Sequence, residues 1–589
     1  MDDSGIAKKR NYNEYYQDEL LFLREMGKEF SESHPMLAHL LLEAGSDPDV
    51  ERLLEGFAFL TGRIRQKLDD ELPELTHTMM GMVCPHYLRP IPAMSIVEFE
   101  PQRTLRGKYL IPKTKTEVES VPVGNTRCRF RTCYDVELLP ISLEDMVLEG
   151  QQLRLILKIL NGVQFSTLGL EKIRLNIHGD PSIQYELYNM LCRNVQRVSV
   201  RLSNGSGQEV ILDKTNVKPV GFNESESVLP YPPNSFLGYR VIQEYFAFPD
   251  KFMFIDVTGL ENANKLDIQD TFEIVFQLAR RPNENLRVNK DNIHLNCTPV
   301  INIFSRPSEP IRVDNERTEY RIRPEGPNSN HYEVYSVDRV FGLISGTAQQ
   351  YEYNGFYSFT HGLSDRGSIF YQTRLRDSVT TENTSETYIS FINADQSVAV
   401  PTTEIISAEL TCINRLLTEQ LRLGDIKIPT SNSPEVARFR NITNVTPTIY
   451  SQLGGSLHWK LISHLTLNRL SITSKEALQG VLALYNFQSF SDRGTASENE
   501  RRINSVSNIQ GIQKDRLYRG TPIRGMEVQI EMQENYFIND GDMYLFCSML
   551  NEFLALYSTI NSFIQLTVKG ASRGEAQTWP MRIGKQALL

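Results

Sequence analysis

A chain of 589 residues, 40% hydrophobic and 23% charged, has the apolar material for several packed cores, which excludes wholesale disorder. At roughly 150 residues per domain, this length predicts about four domains. The net charge is −10 and the nearest thing to a basic cluster is Lys8-Lys9-Arg10. That excludes a nucleic-acid binder, which needs a cationic face to displace counterions from phosphates.

The N-terminal stretch reads as helical. Tyr16, Leu20, Leu23, Met26 and Phe30 recur at three- and four-residue steps between charged residues, the pattern of an amphipathic helix. His34-Pro35 ends it, because a residue before proline is pushed out of the α region. A short second helix is predicted from Met36 to Glu43. Ser46-Asp47-Pro48 supplies a cap and a first-turn proline for a third. Along this helix Val50, Leu53, Phe57, Leu60, Ile64 and Leu68 form a near-heptad seam. A further helix is predicted from about Glu74 to Val83. The proline-rich run Pro85 to Pro92 is predicted to be an extended connector.

From about Ser95 to Asp425, short runs of Val, Ile, Phe and Tyr alternate with Gly, Pro, Asn and Ser. Ser95 to Phe99, Leu153 to Ile159, Ile173 to Ile177, Val195 to Leu202 and Phe272 to Gln277 are predicted strands. Val220 to Gly238, Pro324 to Asn328 and the polar run Thr380 to Glu386 are predicted loops, the last one exposed.

The C-terminal stretch has a definite order: a strand from Trp459 to Leu470, and a helix capped by Ser474 running to about Phe487. A polar insert, Ser491 to Asn504, comes next. Two strands follow, near Ile509 to Tyr518 and Met526 to Met532, then a helix from about Met543 to Tyr557. Phe563 to Lys569 is the closing strand. The order βαββαβ suggests a ferredoxin-like unit. Met543 to Val568 carries one charge, Glu552, but too many polar residues for a membrane span; an amphipathic helix and a buried strand explain it. The fold class expected is therefore α+β and multidomain. It has an N-terminal helical bundle segment over 1–92, a large mostly-β middle divided into 93–285 and 286–454, and a C-terminal α+β domain over 455–589.

The seven cysteines, Cys84, Cys128, Cys133, Cys192, Cys297, Cys412 and Cys547, are scattered and odd in number. A reducing cytoplasm fits them better than a disulfide framework. The first ten residues lack the apolar core of a signal peptide. There is no phosphate-binding glycine loop and no nucleophile elbow; Gly205-Ser206-Gly207 lacks the third glycine and the strand–helix context. Cys128 and Cys133 have no second ligand pair downstream and read as buried or strand-lining thiols. Cys84 with His86 lacks further ligands. His458 and His464 share one face of a predicted strand and read as a hydrogen-bonded pair. Asp540-Gly541-Asp542 is too short for a calcium loop and reads as a turn and helix cap. No catalytic residue, metal site or cofactor is expected. The helical seam is the positive signal: it packs either within the chain or in a bundle with another subunit.

Several blocks resemble one family. Asp49-Val50-Glu51-Arg52-Leu53-Leu54-Glu55-Gly56-Phe57-Ala58-Phe59-Leu60 is similar to the N-terminal signature of the TssF family, also called ImpG or VasA, of type VI secretion baseplates. Lys67 to Leu75 and Pro85 to Pro90 continue the resemblance. So do Cys128 to Asp135, Cys297 to Asn302, Glu333 to Asp338, Leu461 to Leu465, Arg524 to Val528, Tyr557 to Phe563 and Trp579 to Arg582. The family often has Tyr where Cys84 stands, which weakens Cys84 as a ligand. The resemblance implies a non-enzymatic wedge subunit in the cytoplasm, two copies to one TssG, joined to TssK and TssE. Six wedges would surround the VgrG hub, template the contractile sheath and dock on the inner-membrane complex, with no nucleic acid and no direct membrane insertion. It makes Leu20, Leu23, Leu53, Phe57, Leu60 and Ile64 candidate partner-interface residues. The competing readings are a spike-associated or secreted binding module, and an enzyme with a scattered site.

Overall fold

The computed structural model describes residues 52–61, 80–81, 84–202, 208–232, 237–313, 317–343, 350–356, 369–378, 384–393, 405–451 and 474–584, apart from 267, 269, 284, 285, 491, 492, 557, 559–561, 573 and 575, together with single positions 16, 20 and 63. The chain forms two compact units. One comprises Met1–Leu88 and Gln452–Thr466, the other Arg89–Ser451 and Leu467–Leu589.

In the first unit, Tyr16 and Leu20 are helical and residues 52–61 form helix α1. The short helix predicted from Met36 and most of the seam beyond Thr61 lie outside the described residues; of the helix predicted from about Glu74 to Val83, only Met80 and Gly81 are described, and both are helical. Pro85–Leu88 corrects one expectation: it is a single helical turn, not extended chain. Proline fits the first position of a turn, and Pro90 and Pro92 fall beyond its end.

The second unit begins with a six-stranded antiparallel sheet. Its order is Ile426–Pro429, Glu117–Val123, Thr126–Thr132, Cys297–Ile301, Met94–Pro101 and Ala437–Asn441. In Thr126–Thr132, Cys128 and Phe130 enter the core while Arg127, Arg129 and Arg131 face away, the period-two alternation of a half-buried strand. A five-stranded sheet and a four-stranded sheet follow from residues 141–295. The predicted strands are found there as Gln152–Ile159, Lys172–Ile177, Val195–Leu202 and Thr271–Leu278.

Two helices interrupt this β-rich stretch: α2, Pro181–Arg193, and α3, Leu237–Ala247. Proline at the first position starts α2 after Asp180.

Residues 304–413 form a separate lobe, an eight-stranded sheet with its own core of Phe304, Val334, Val340, Ile389, Ile406 and Leu410. The lobe is joined to the six-stranded sheet through Asn302 and Asn414, both fully buried. Asn302 Nδ2 donates to Asn414 Oδ1 at 2.8 Å and to the Arg129 carbonyl at 2.7 Å, and the Asn414 N–H donates to Asn302 Oδ1 at 2.7 Å. The predicted loop at Pro324 to Asn328 is present, but the exposed loop at Thr380 to Glu386 is corrected at its end. Ser385 and Glu386 begin a strand and are buried. Ser385 donates its N–H and hydroxyl to Glu333, and Arg321 pairs with Glu386 at 2.8 Å.

At the C-terminus, Ser474 caps helix α4, Lys475–Leu484, by accepting from the Ala477 N–H. The polar insert is corrected: Arg493–Asn504 is helix α5. Ala496, Asn499, Arg502 and Ile503 bury one side of it. A hairpin then pairs Val506–Tyr518 with Thr521–Met532 around Arg519 and Gly520, both at positive φ (50° and 81°), the backbone a two-residue hairpin turn requires.

Helix α6, Asp540–Leu556, crosses to Ser562–Gly570, which lies parallel to and directly beside Thr521–Met532. A ferredoxin-like order places another strand between these two, so that expectation is corrected. The other edge of Ser562–Gly570 is taken by Ala576–Thr578 and Arg582–Ile583. The predicted strand from Trp459 to Leu470, with His458 and His464, lies outside the described residues.

Helix α6 packs on α2 and α3. Tyr188 meets Tyr544, Tyr239 meets Phe553 and Tyr245 meets Phe546, at ring separations of 5.7–6.1 Å. The helix is apolar on most sides because it is buried between these helices and its own sheet. No helix among the described residues is long and apolar enough to cross a membrane.

Candidate interaction surface

Helix α1 carries its large apolar residues on the outside. Leu53, Phe57 and Leu60, at four- and three-residue spacing, are 72%, 62% and 60% exposed, while Ala58 on the far side is buried. A Cβ added at Gly56 would meet nothing within 4 Å, so this side of the helix is open there too. Fully burying one such side chain is worth about 1.5–3 kcal/mol. Leu20 is helical and half-buried; Leu23 and Ile64 lie outside the described residues. Phe59 is also exposed and was missed, because it falls off the seam spacing. Its signal was simply a third aromatic or aliphatic side chain in a short polar-flanked run.

Groups that could do chemistry are instead tied into the interior. Burial pushes the Cys84, Cys128, Cys133, Cys192 and Cys412 thiols up to about 12 and raises those of Cys297 and Cys547 as well. The nucleophile and metal ligand is the thiolate, and these sites disfavour it. Among the described residues no three His, Cys, Asp or Glu side chains converge as a metal site.

Among the described residues, three networks hold buried charges in the interior. Glu244 accepts from Lys251 and from the Val228 and Leu229 N–H groups. Burial pushes the Lys251 ammonium down, and Glu244 opposes that shift. Glu333 accepts from Ser385 and from the Tyr450 hydroxyl at 3.0 Å, with the Arg415 Nε 3.7 Å away. Arg502 pairs with Asp542. The Glu333 and Arg502 networks join segments far apart in the chain, and the Glu244 network ties a loop to helix α3; these are structural tasks.

The sequence over residues 8–586 matches the family model described as "Type VI secretion system, TssF". The chain belongs to the TssF family. Among curated proteins it is similar to the type VI secretion system component TssF1 of Pseudomonas aeruginosa, 29% identical over 98% of this chain and 99% of that one. Among solved structures it is similar to a chain of the TssK–TssF–TssG baseplate subcomplex seen by cryo-electron microscopy. That match has 31% identity and a TM-score of 0.75, and it covers 91% of this chain and all of the other. A chain of the type VI secretion baseplate complex matches at 26% identity and a TM-score of 0.61, covering 98% of this chain and all of the other.

Proposed function

We propose that this TssF-family chain is a non-catalytic structural subunit of a type VI secretion baseplate, assembled with TssG and TssK. The bare stripe of Leu53, Phe57 and Leu60 carries the reading. A helix cannot leave such a stripe in water without loss, and a bundle with a partner's helices removes it. The likeness to a chain of a TssK–TssF–TssG subcomplex supports the identity of the partners. The finer assembly is part of the same proposal: two copies per TssG, contacts with TssE and the VgrG hub, sheath templating, and a cytoplasmic baseplate docked on the inner-membrane complex. Leu20, Leu23 and Ile64 extend the proposed interface along the helical segment.

The test is co-expression with TssG, followed by mass measurement of the purified complex. The expected mass is that of two copies with one TssG. Replacing Phe57 and Leu60 by Asp places two carboxylates in the packed seam, at a cost of several kcal/mol if both are buried on binding. TssG recovery is expected to fall at least tenfold while the melting temperature of the isolated chain stays put, since both side chains are exposed there. Undiminished recovery overturns the proposal.

A further inference from the structure

The strand Val506–Tyr518 is the edge of the C-terminal sheet; among the described residues no strand pairs with its outer side. Its first residues pack beneath α4 and α5, where Gln479 donates to the Val506 carbonyl. From Gln510 to Leu517 every residue is exposed, on both faces. Leu517 is 77% exposed and Ile512 38%. An unpaired edge of this length is a template for another strand, and proteins usually shorten, cover or charge such an edge.

The charges on this edge are sorted by face. Side chains two apart share a face of a strand. Ile512, Lys514 and Arg516 therefore stand on one face and Gln513, Asp515 and Leu517 on the other. Lys514 and Arg516 share a single carboxylate, Glu527 on the neighbouring strand, so that face keeps a net positive charge. On the other face Asp515 lies 3.6 Å from Arg524, both largely exposed.

This sorting decides between occupants. Two copies of the chain pairing edge to edge about a two-fold axis run antiparallel and set same-face residues opposite one another. The only acidic residue of the strand is Asp515, on the wrong face. No register of self-pairing brings a carboxylate opposite Lys514 or Arg516, and registers centred on residues 514 to 516 set cation against cation, which is destabilising. A strand from a different protein, with two acidic residues two positions apart and an aliphatic residue in line with them, would complete the face.

We propose that the Val506–Tyr518 edge is a second docking site, which receives an extended acidic segment of another protein by strand addition. Main-chain hydrogen bonds along the free edge bind the segment. Lys514 and Arg516 select its charge, and Ile512 its aliphatic residue. Strand addition at this edge does not depend on what the helical seam binds.

The test places a photo-crosslinking amino acid at Gln513 of the full chain, within the complex recovered by co-expression with TssG and TssK. The cross-linked peptide is then identified by mass spectrometry. The expected product joins residue 513 to a segment of another protein with acidic residues at alternate positions. Reversing both charges (Lys514→Glu with Arg516→Glu) is expected to lower the yield at least tenfold, with TssG recovery unchanged. Leu517→Asp, at an exposed position that cannot unfold the core, is expected to lower it severalfold.

Three results overturn the proposal. One is a cross-link to the 506–532 peptide of a second copy, or to a segment without that acidic pattern. The second is a yield indifferent to charge reversal. The third is no product above the unirradiated control while TssG is still recovered, which means that the charges only protect the edge. Failure to recover TssG at all would instead count against the assembly proposed above.

Discussion

Arg502 and Asp542 meet through three hydrogen bonds of 3.1–3.3 Å with both side chains buried, and Asp542 also accepts the Ile538 N–H. Removing one partner leaves the other charged and dry, at a cost of about 3–5 kcal/mol. Asp542→Ala should therefore lower the melting temperature sharply. Arg502→Met with Asp542→Leu should recover much of that loss, which a double-mutant cycle by calorimetry would check. Asp542 was legible in the sequence only as a helix cap; its partner lies 40 residues away on a helix that reads as polar loop, and no local spacing links them. His178 is a second case. Its ring sits 5.3 Å from that of His294, which bonds Glu98 at 2.8 Å, and Asp291 and Arg440 complete the surrounding charges. Burial, then His294, holds the His178 imidazole below its usual 6.5, while Glu98 and Asp291 pull the other way. The folded state thus binds fewer protons than the unfolded one. The stability this group contributes is complete above about pH 6.5 and is lost as pH falls through its folded value. Asp250 and Glu333, pushed up by burial, act in the opposite sense, so the informative quantity is a difference. Melting curves from pH 7.5 to 5 should fall more steeply for the natural chain than for His178→Phe.

Among the elements, a strand is legible where one face is buried and its alternation survives in the sequence. Gln152–Ile159, read from the sequence as Leu153 to Ile159, is of this kind. Helix α3 was not legible, since the Tyr, Phe, Val and Ile that fill its buried side are also strand formers; α2, with Tyr185, Leu187, Tyr188, Met190 and Leu191 buried, was missed as well. Asp180-Pro181 was the available signal for α2. Helix α5 was missed for the opposite reason: twelve mostly polar residues carry too little apolar periodicity, and their order comes from tertiary contacts. The contact of α6 with α2 yields a sharp expectation. A Cβ at Gly541 would fall 1.9 Å from the Tyr185 carbonyl oxygen, so the two helix backbones touch there. Gly541→Ala must push α6 away from α2. Overpacking of this kind costs about 1–3 kcal/mol. Urea unfolding should show a lower midpoint with an unchanged slope, whereas the same change at Gly424, where the added Cβ meets nothing, should register only the strain of its left-handed backbone.

For the whole molecule, the candidate interface was legible because a seam at heptad spacing is visible without a structure; which side of α1 it occupies was not, because exposure depends on residues distant in the chain. If TssG covers that stripe, it binds the folded chain and not the unfolded one, so stability must rise with partner concentration. At a hundredfold excess over Kd the gain is about 2.7 kcal/mol. A thermal titration should show the melting temperature climbing with TssG for the natural chain and staying flat for the Phe57→Asp, Leu60→Asp variant. The lobe of residues 304–413 has a different implication. The chain leaves the six-stranded sheet at Asn302 and returns at Asn414, and these two side chains hydrogen-bond each other. A segment whose two ends already touch, and which folds around a core of its own, is a cassette. It can be lengthened or exchanged between relatives with little strain on the sheet that holds it, provided the insert keeps an acceptor where Glu333 meets Tyr450 and Arg415. Within this family, divergence by recombination would therefore concentrate in the lobe, while the Asn302–Asn414 clasp, which fits any insert, would stay the same.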